Sequence, residues 1–183
     1  MVFVVWRSPS LTGRLAPATG TVTPPTGRVS VPVTVKIRTG IDRAHVNALQ
    51  ISRIAARSGI RAIAVHGRTR ADFYEGEAEY ETIRDICAGA SIPVFANGDI
   101  ISAEKARDVL AHTGADGVMI GRGAYGKPWL LNQVMHWLAT GERLEDPDLD
   151  EQYDVITEHY DAMLSHYGTM TGVNMARKHI GWY

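Results

Sequence analysis

The 183 residues carry 19 Lys and Arg against 20 Asp and Glu, a formal net charge of −1, with 45% hydrophobic and 8% aromatic residues. That length suits one globular domain with a small appendage, and the near-neutral charge excludes a strongly basic nucleic-acid footprint while leaving a local patch open. A single cysteine, Cys87, excludes an internal disulfide framework and any multi-cysteine metal site, which fits a reducing compartment such as the cytoplasm.

Residues 1–30 mix Pro, Gly, Thr and Arg without sustained periodicity, as in Pro24-Pro25-Thr26-Gly27, and read as a leader of unspecified structure. The opening Met1-Val2-Phe3-Val4-Val5-Trp6 is apolar but too short for a signal-peptide core, and no basic residue precedes it, so secretion is not expected. No apolar run approaches the roughly 20 residues that cross a bilayer, so a membrane is not an expected partner.

From Val31 the pattern changes to short β-branched runs alternating with segments of helical period. Strands are predicted at 33–37, 62–66, 93–96 and 117–120, each nearly continuous in apolar character, as strands buried on both faces are. Helices are predicted between them: 44–58 with Leu49, Ile51, Ile54 and Ala55 inward, 80–88 with Ile83 and Ile86, and 102–112 with Ala106, Val109 and Leu110. Gly59 and Gly114 stand at C-cap positions and Ser102 at an N-cap. The spacing of strand starts is that of a βα unit with its crossover, which predicts a parallel α/β architecture. Beyond it come a helix over 129–139, an acidic linker over 141–150, and a helix whose one face carries Tyr153, Ile156, Tyr160, Met163, Leu164 and Tyr167. The last segment, 172–183, ends inside a helical pattern.

Ligands of parallel α/β folds meet the C-terminal ends of the strands, and here all four ends are polar. Lys36 lies within the first run, where an ammonium is costly unless it reaches a ligand, solvent or an ion-pair partner. The second run ends in His66-Gly67-Arg68-Thr69-Arg70, the third in Asn97-Gly98-Asp99 and the fourth in Gly121-Arg122-Gly123. Gly98 and Gly121 permit close backbone approach, and Arg122 adds a guanidinium, so the two turns together predict a phosphate site. Gly121-Arg122-Gly123-Ala124-Tyr125-Gly126 also matches the dinucleotide fingerprint G-x-G-x-x-G, but no further strand with a ribose-binding acid follows it. Cys87 falls on the inward face of its helix and reads as a small buried thiol.

Val33-Thr34-Val35-Lys36-Ile37-Arg38-Thr39-Gly40, His66-Gly67-Arg68-Thr69-Arg70, Ala96-Asn97-Gly98-Asp99-Ile100 and Met119-Ile120-Gly121-Arg122 together resemble the tRNA-dihydrouridine synthases in order and spacing. Ala176-Arg177-Lys178-His179 extends the likeness into the C-terminal part. The resemblance implies an α/β fold, the second half of a (β/α)8 TIM barrel followed by a small, truncated helical domain. On that division 1–30 is a leader, 31–139 the FMN-binding part of the barrel, and 140–183 part of a helical tRNA-binding domain. It implies an enzyme that uses FMN and NADPH to reduce uridine in tRNA, with the base taken out of its stack and laid on the flavin. It assigns Lys36, His66, Asn97, Gly98, Asp99, Gly121 and Arg122 to the FMN site, and Arg68 and Arg70 to tRNA or the flavin phosphate.

The family's cysteine acid lies in the half that precedes these motifs, and Cys87 does not match it. No catalytic residue and no metal is therefore expected in this chain, which is expected to be poorly active or inactive alone. Four strands would leave two open sheet edges suited to self-association. Two alternatives remain: another FMN-barrel oxidoreductase, such as a dihydroorotate dehydrogenase relative, or a non-catalytic fragment that pairs with another chain or binds RNA without chemistry. The second strand end and the helical tail favour the tRNA enzyme.

Overall fold

Four short strands, β2 (Val35–Arg38), β3 (Ile63–His66), β4 (Val94–Asn97) and β5 (Gly117–Ile120), pair in parallel and in sequence order in the computed structural model. The structure describes residues 3–6 and 31–183. Helices α1 (Ala48–Arg57), α2 (Glu81–Gly89) and α3 (Ala103–Thr113) connect the strands, and α4 (Leu130–Thr140) follows the last. This is the predicted α/β architecture, arranged as in one half of a (β/α)8 barrel.

A fifth strand departs from the expectation. Phe3–Trp6, within the leader, forms β1 and pairs antiparallel with β5, so the sheet order is β1-β5-β4-β3-β2. Four apolar residues of high β propensity beside an unpaired parallel edge are enough to add a strand there. Among the described residues, the β5 edge of the four-strand set is covered by β1 and the β2 edge by no strand. The rest of the predicted leader, 7–30, lies outside the described residues.

The pleat sorts side chains by parity. Val35, Ile37, Ile63, Val65, Val94, Ala96, Val118 and Ile120 face the helices and form one core with Ala48, Ile83, Ile86, Ala106, Val109, Leu110, Leu130 and Val134. Ala62, Ala64 and Phe95 form a second, smaller cluster with Met119. The α1 stripe differs from the predicted one: Ala48, Ser52 and Ala55 are buried, while Ile54 is 50% exposed. The helix starts at Ala48, after a turn in which the Asp42 carboxylate accepts from the Ala44 and His45 N–H groups, and small residues at i, i+4 and i+7 then face the sheet.

Caps fall where predicted. Ser102 Oγ accepts from Lys105 N at 3.1 Å at the start of α3, and Gly114 ends that helix at φ 69°. Gly59 takes φ 84° just past α1. Ser102→Ala is expected to cost about 1 kcal/mol, read as a lower midpoint in urea unfolding; an unchanged midpoint would remove the cap from the ledger of α3 stability.

The C-terminal part is a helical hairpin of α5 (Leu149–Tyr167), capped by Asp148, and α6 (Thr169–Ile180). On α5, Met163 is buried, but Tyr153 and Tyr167 at the ends of the predicted face are 68% and 47% exposed. The last helix stops at Ile180 instead of running to the final residue. After Gly181 the chain folds back, Trp182 stacking on Tyr125 at 4.0 Å and Tyr183 Oη meeting His159 Nδ1 at 3.1 Å. A Cβ on Gly126 would collide with the Trp182 carbonyl, so this docking requires glycine there. No helix among the described residues is long and apolar enough to cross a membrane, and no cluster of three or more His, Cys, Asp or Glu among them could hold a metal ion.

Candidate functional site

A cavity of about 360 Å³ opens at the C-terminal ends of the parallel strands and is lined by Lys36, His66, Asn97, Gly98, Asp99, Gly121 and Arg122 together. All seven residues that the resemblance assigns to a cofactor therefore share one space. Arg38, His66 and Asn97 stand side by side in register at the ends of β2, β3 and β4. Asn97 is oriented by its amide, which donates to the Met119 carbonyl at 2.7 Å on β5.

The two glycine turns are packed against each other. Gly98 has φ 126° and Asp99 φ 49°, a left-handed pair that reverses the chain after β4. A Cβ on Gly123 would collide with the Ile100 carbonyl, so the second turn lies directly on the first. Gly121 differs from both: nothing stands within 4 Å of the place where its Cβ would be. That open space on the cavity wall admits a ligand atom against bare backbone. A short 3-10 turn, Arg122–Ala124, follows β5, and α4 starts at Leu130, one residue from the predicted 129. The N–H groups near the cavity on that side thus belong to the tight turn.

Lys36 and His66 have no hydrogen-bond or ion-pair partner among the described residues, and both line the cavity. Burial, and then the charge of Arg38, lowers the Lys36 pKa from its ordinary value. His66 is 6% exposed, and its pKa is pushed down to about 4 by burial first and then by the charges of Lys36, Arg38 and Arg68. It is neutral at pH 7 and offers one donor and one acceptor. Below its ordinary value of 6.5 the unfolded chain takes up a proton that the folded chain refuses until about 4, so stability falls as pH drops through that window. His66→Gln is expected to recover on the order of 2 kcal/mol of this acid-side loss, since the open cavity screens part of the effect. Urea midpoints at pH 7 and pH 4.5 measure it; equal acid sensitivity in both proteins would refute the assignment.

The two arginines predicted to contact substrate are placed differently. Arg70 is exposed and does not line the cavity. Arg68 is 3% exposed, lies behind the Asn97-Gly98-Asp99 turn, and donates to both Asp99 carboxylate oxygens at 2.8 and 2.7 Å. Its Nε and Nη2 also donate to the Glu75 and Gly76 carbonyls at 3.1 and 2.5 Å. Any contact with tRNA or phosphate would have to displace these bonds. Desolvation pushes the Asp99 carboxyl up, but the Arg68 fork, the Ala78 N–H and the charge of Arg122 hold it below the usual carboxylate value.

Other residues that line the cavity were not assigned to the site from the sequence, among them Arg38, Met119, Tyr74 and Tyr125. Arg38 shares the parity of Lys36 two positions along β2, a signal that could have found it, and it donates to the Thr69 and Phe73 carbonyls. Met119 follows from the same alternation. Tyr74 lies on an irregular loop, where no periodicity marks it, with Arg122 at 4.1 Å and Arg38 at 5.5 Å from its ring centre. Tyr125 belongs to the contact with the helical hairpin. Cys87 does not line the cavity; burial, and then Asp116, raises its thiol to about 12.

This arrangement fits a flavin mononucleotide. It offers a bare-backbone cradle at Gly121, a guanidinium beside it, and Lys36 and His66 donors without partners among the described residues. A family model described as dihydrouridine synthase (Dus) matches residues 21–183. A Pseudomonas putida protein named tRNA-dihydrouridine synthase B is 58% identical over 153 residues, 84% of this chain and 45% of that protein. A Rickettsia conorii protein named probable tRNA-dihydrouridine synthase is 53% identical over 153 residues, and a Xanthomonas axonopodis tRNA-dihydrouridine synthase B is 56% identical over 154, each covering 84% of this chain and 46% of the relative. The chain spans about half the length of the curated relatives it matches.

Proposed function

The chain belongs to the dihydrouridine synthase family, and from that membership and the strand-end cavity we propose that it forms the FMN-binding part of an oxidoreductase that reduces uridine in tRNA. The observation that carries this reading is the convergence of Lys36, His66, Asn97, Gly98, Asp99, Gly121 and Arg122 on one cavity. In this reading Gly121 and Arg122 receive the phosphate, Gly98 and Asp99 shape the opposing turn, and Asn97, His66 and Lys36 hold the ring system by hydrogen bonds. A bound flavin supplies hydride, drawn from NADPH, to the double bond of a uracil ring. Lys36 and neutral His66 present donors to polar ring atoms.

Residues 31–139 serve as the flavin-binding part, and 140–183 contribute to gripping tRNA through Arg177, Lys178 and His179 in the last turn of α6. The cytoplasm is the compartment this reading requires, and the β2 edge is the surface through which the chain would self-associate. The described cavity offers no cysteine to supply the proton that must accompany the hydride, since Cys87 lies elsewhere with its thiol raised to about 12. The purified chain is therefore expected to bind FMN but to form little dihydrouridine in unmodified tRNA with NADPH. A flavin titration by absorption and fluorescence, followed by dihydrouridine quantification, tests both halves. A chain that takes up no flavin removes the reading.

A further inference from the structure

Asp99 places a carboxylate at the site where the two turns would receive an anion, which is the wrong charge for the task. Its left-handed backbone holds it at the cavity, and its Oδ1 lies 3.9 Å from Arg122 Nη2. Unopposed, that carboxylate would repel a ligand phosphate and draw Arg122 onto itself. The structure opposes it from behind: the buried Arg68 fork bonds both oxygens at 2.8 and 2.7 Å, and the Ala78 N–H adds a third bond at 2.7 Å. Arg122 is left beyond hydrogen-bond reach of Asp99, about half exposed, with its guanidinium against the face of Tyr74.

We propose that Arg68 is a positioning residue that neutralises Asp99 and so keeps the charge of Arg122 available to the ligand's phosphate. Arg68 touches no ligand in this scheme; it acts through Asp99. The proposal rests on the reading of the two turns as an anion site, but it does not require the anion to be part of a flavin.

The test is isothermal titration of the purified chain with FMN and, separately, with orthophosphate. Arg68→Gln, which leaves Asp99 charged and unopposed, is expected to weaken both by about tenfold or more. Arg68→Lys keeps the charge without the fork and should retain more affinity than Arg68→Gln. The decisive variant is Arg68→Gln with Asp99→Asn. Asparagine tolerates the left-handed backbone and removes the carboxylate, so affinity should return to within about threefold of the parent. A purely structural role for Arg68 predicts no such rescue, and absence of rescue overturns the proposal. If Arg68→Gln does not fold, Asp99→Asn alone decides: affinity equal or tighter supports the proposal, and a loss of about tenfold overturns it. Binding of orthophosphate without FMN would leave this proposal to be judged on orthophosphate and would remove the flavin reading. A parent chain that binds neither has no anion site, and the proposal falls with it.

Discussion

Gly98→Ala is expected to abolish flavin binding, weakening it by about a hundredfold or more, and to destabilise the chain by about 3 kcal/mol. The backbone at Gly98 has φ 126°, a conformation that L side chains rarely adopt. Its Cβ would lie 2.6 Å from Ala78 Cβ and 3.0 Å from His66 Cδ2. Neither neighbour can yield cheaply. Ala78 is tied through its N–H to Asp99, and Tyr80 Oη donates to the Gly98 carbonyl at 2.6 Å, so the turn is held from both sides. A shift of His66 would in turn move the ring that faces the cavity. Urea unfolding and an FMN titration on the same preparation read both effects; parental stability and affinity together would show that this turn does not need glycine. Gly121→Ala is the control, because open space surrounds its missing Cβ. There the ligand should lose its place while stability changes by no more than about 1 kcal/mol.

Arg122→Ala is expected to weaken FMN by about ten- to a hundredfold, the worth of a charge-assisted bond to phosphate. Folding stability should barely move, because the side chain is half exposed and its contact with Asp99 is long. The loss should also shrink at high salt, since a half-exposed guanidinium is screened. Titrations at low and high ionic strength separate this from a rearranged Tyr74 loop, which would cost the same affinity at both. An affinity equal to the parent's at low salt would take Arg122 out of the site.

Particular residues show why some of this was legible in the sequence. The strand runs and caps were readable because alternation, β-branching and a serine or glycine at a helix end are local properties, and they placed β2 to β5 and α3 within a few residues. The seven cavity residues were readable for the same reason: strand ends in a parallel sheet point to a common side. Arg68 shows the limit. A guanidinium just after a strand end has the same spelling whether it faces a ligand or a neighbouring carboxylate, and only the fold puts Asp99 and the 75–76 carbonyls behind it. Tyr74 was invisible because an irregular loop has no period. β1 was missed because four apolar residues become a strand only beside an unpaired edge, and that edge belongs to β5, far along the chain. The end of α6 depended on Trp182 finding Tyr125, a contact outside the helix.

In the pleat, Ile37 and Arg38, Val65 and His66, Ala96 and Asn97 are neighbours that serve opposite sides of the sheet. Loss or gain of one residue inside β2, β3 or β4 would turn that strand over, driving a charged or polar end group among the helices and an aliphatic one into the cavity. The packing that folds this chain and the chemistry it presents are thus written in a single phase. Within these strands one side chain can be exchanged for another, but the number of residues cannot change by one without exchanging the two sides of the sheet.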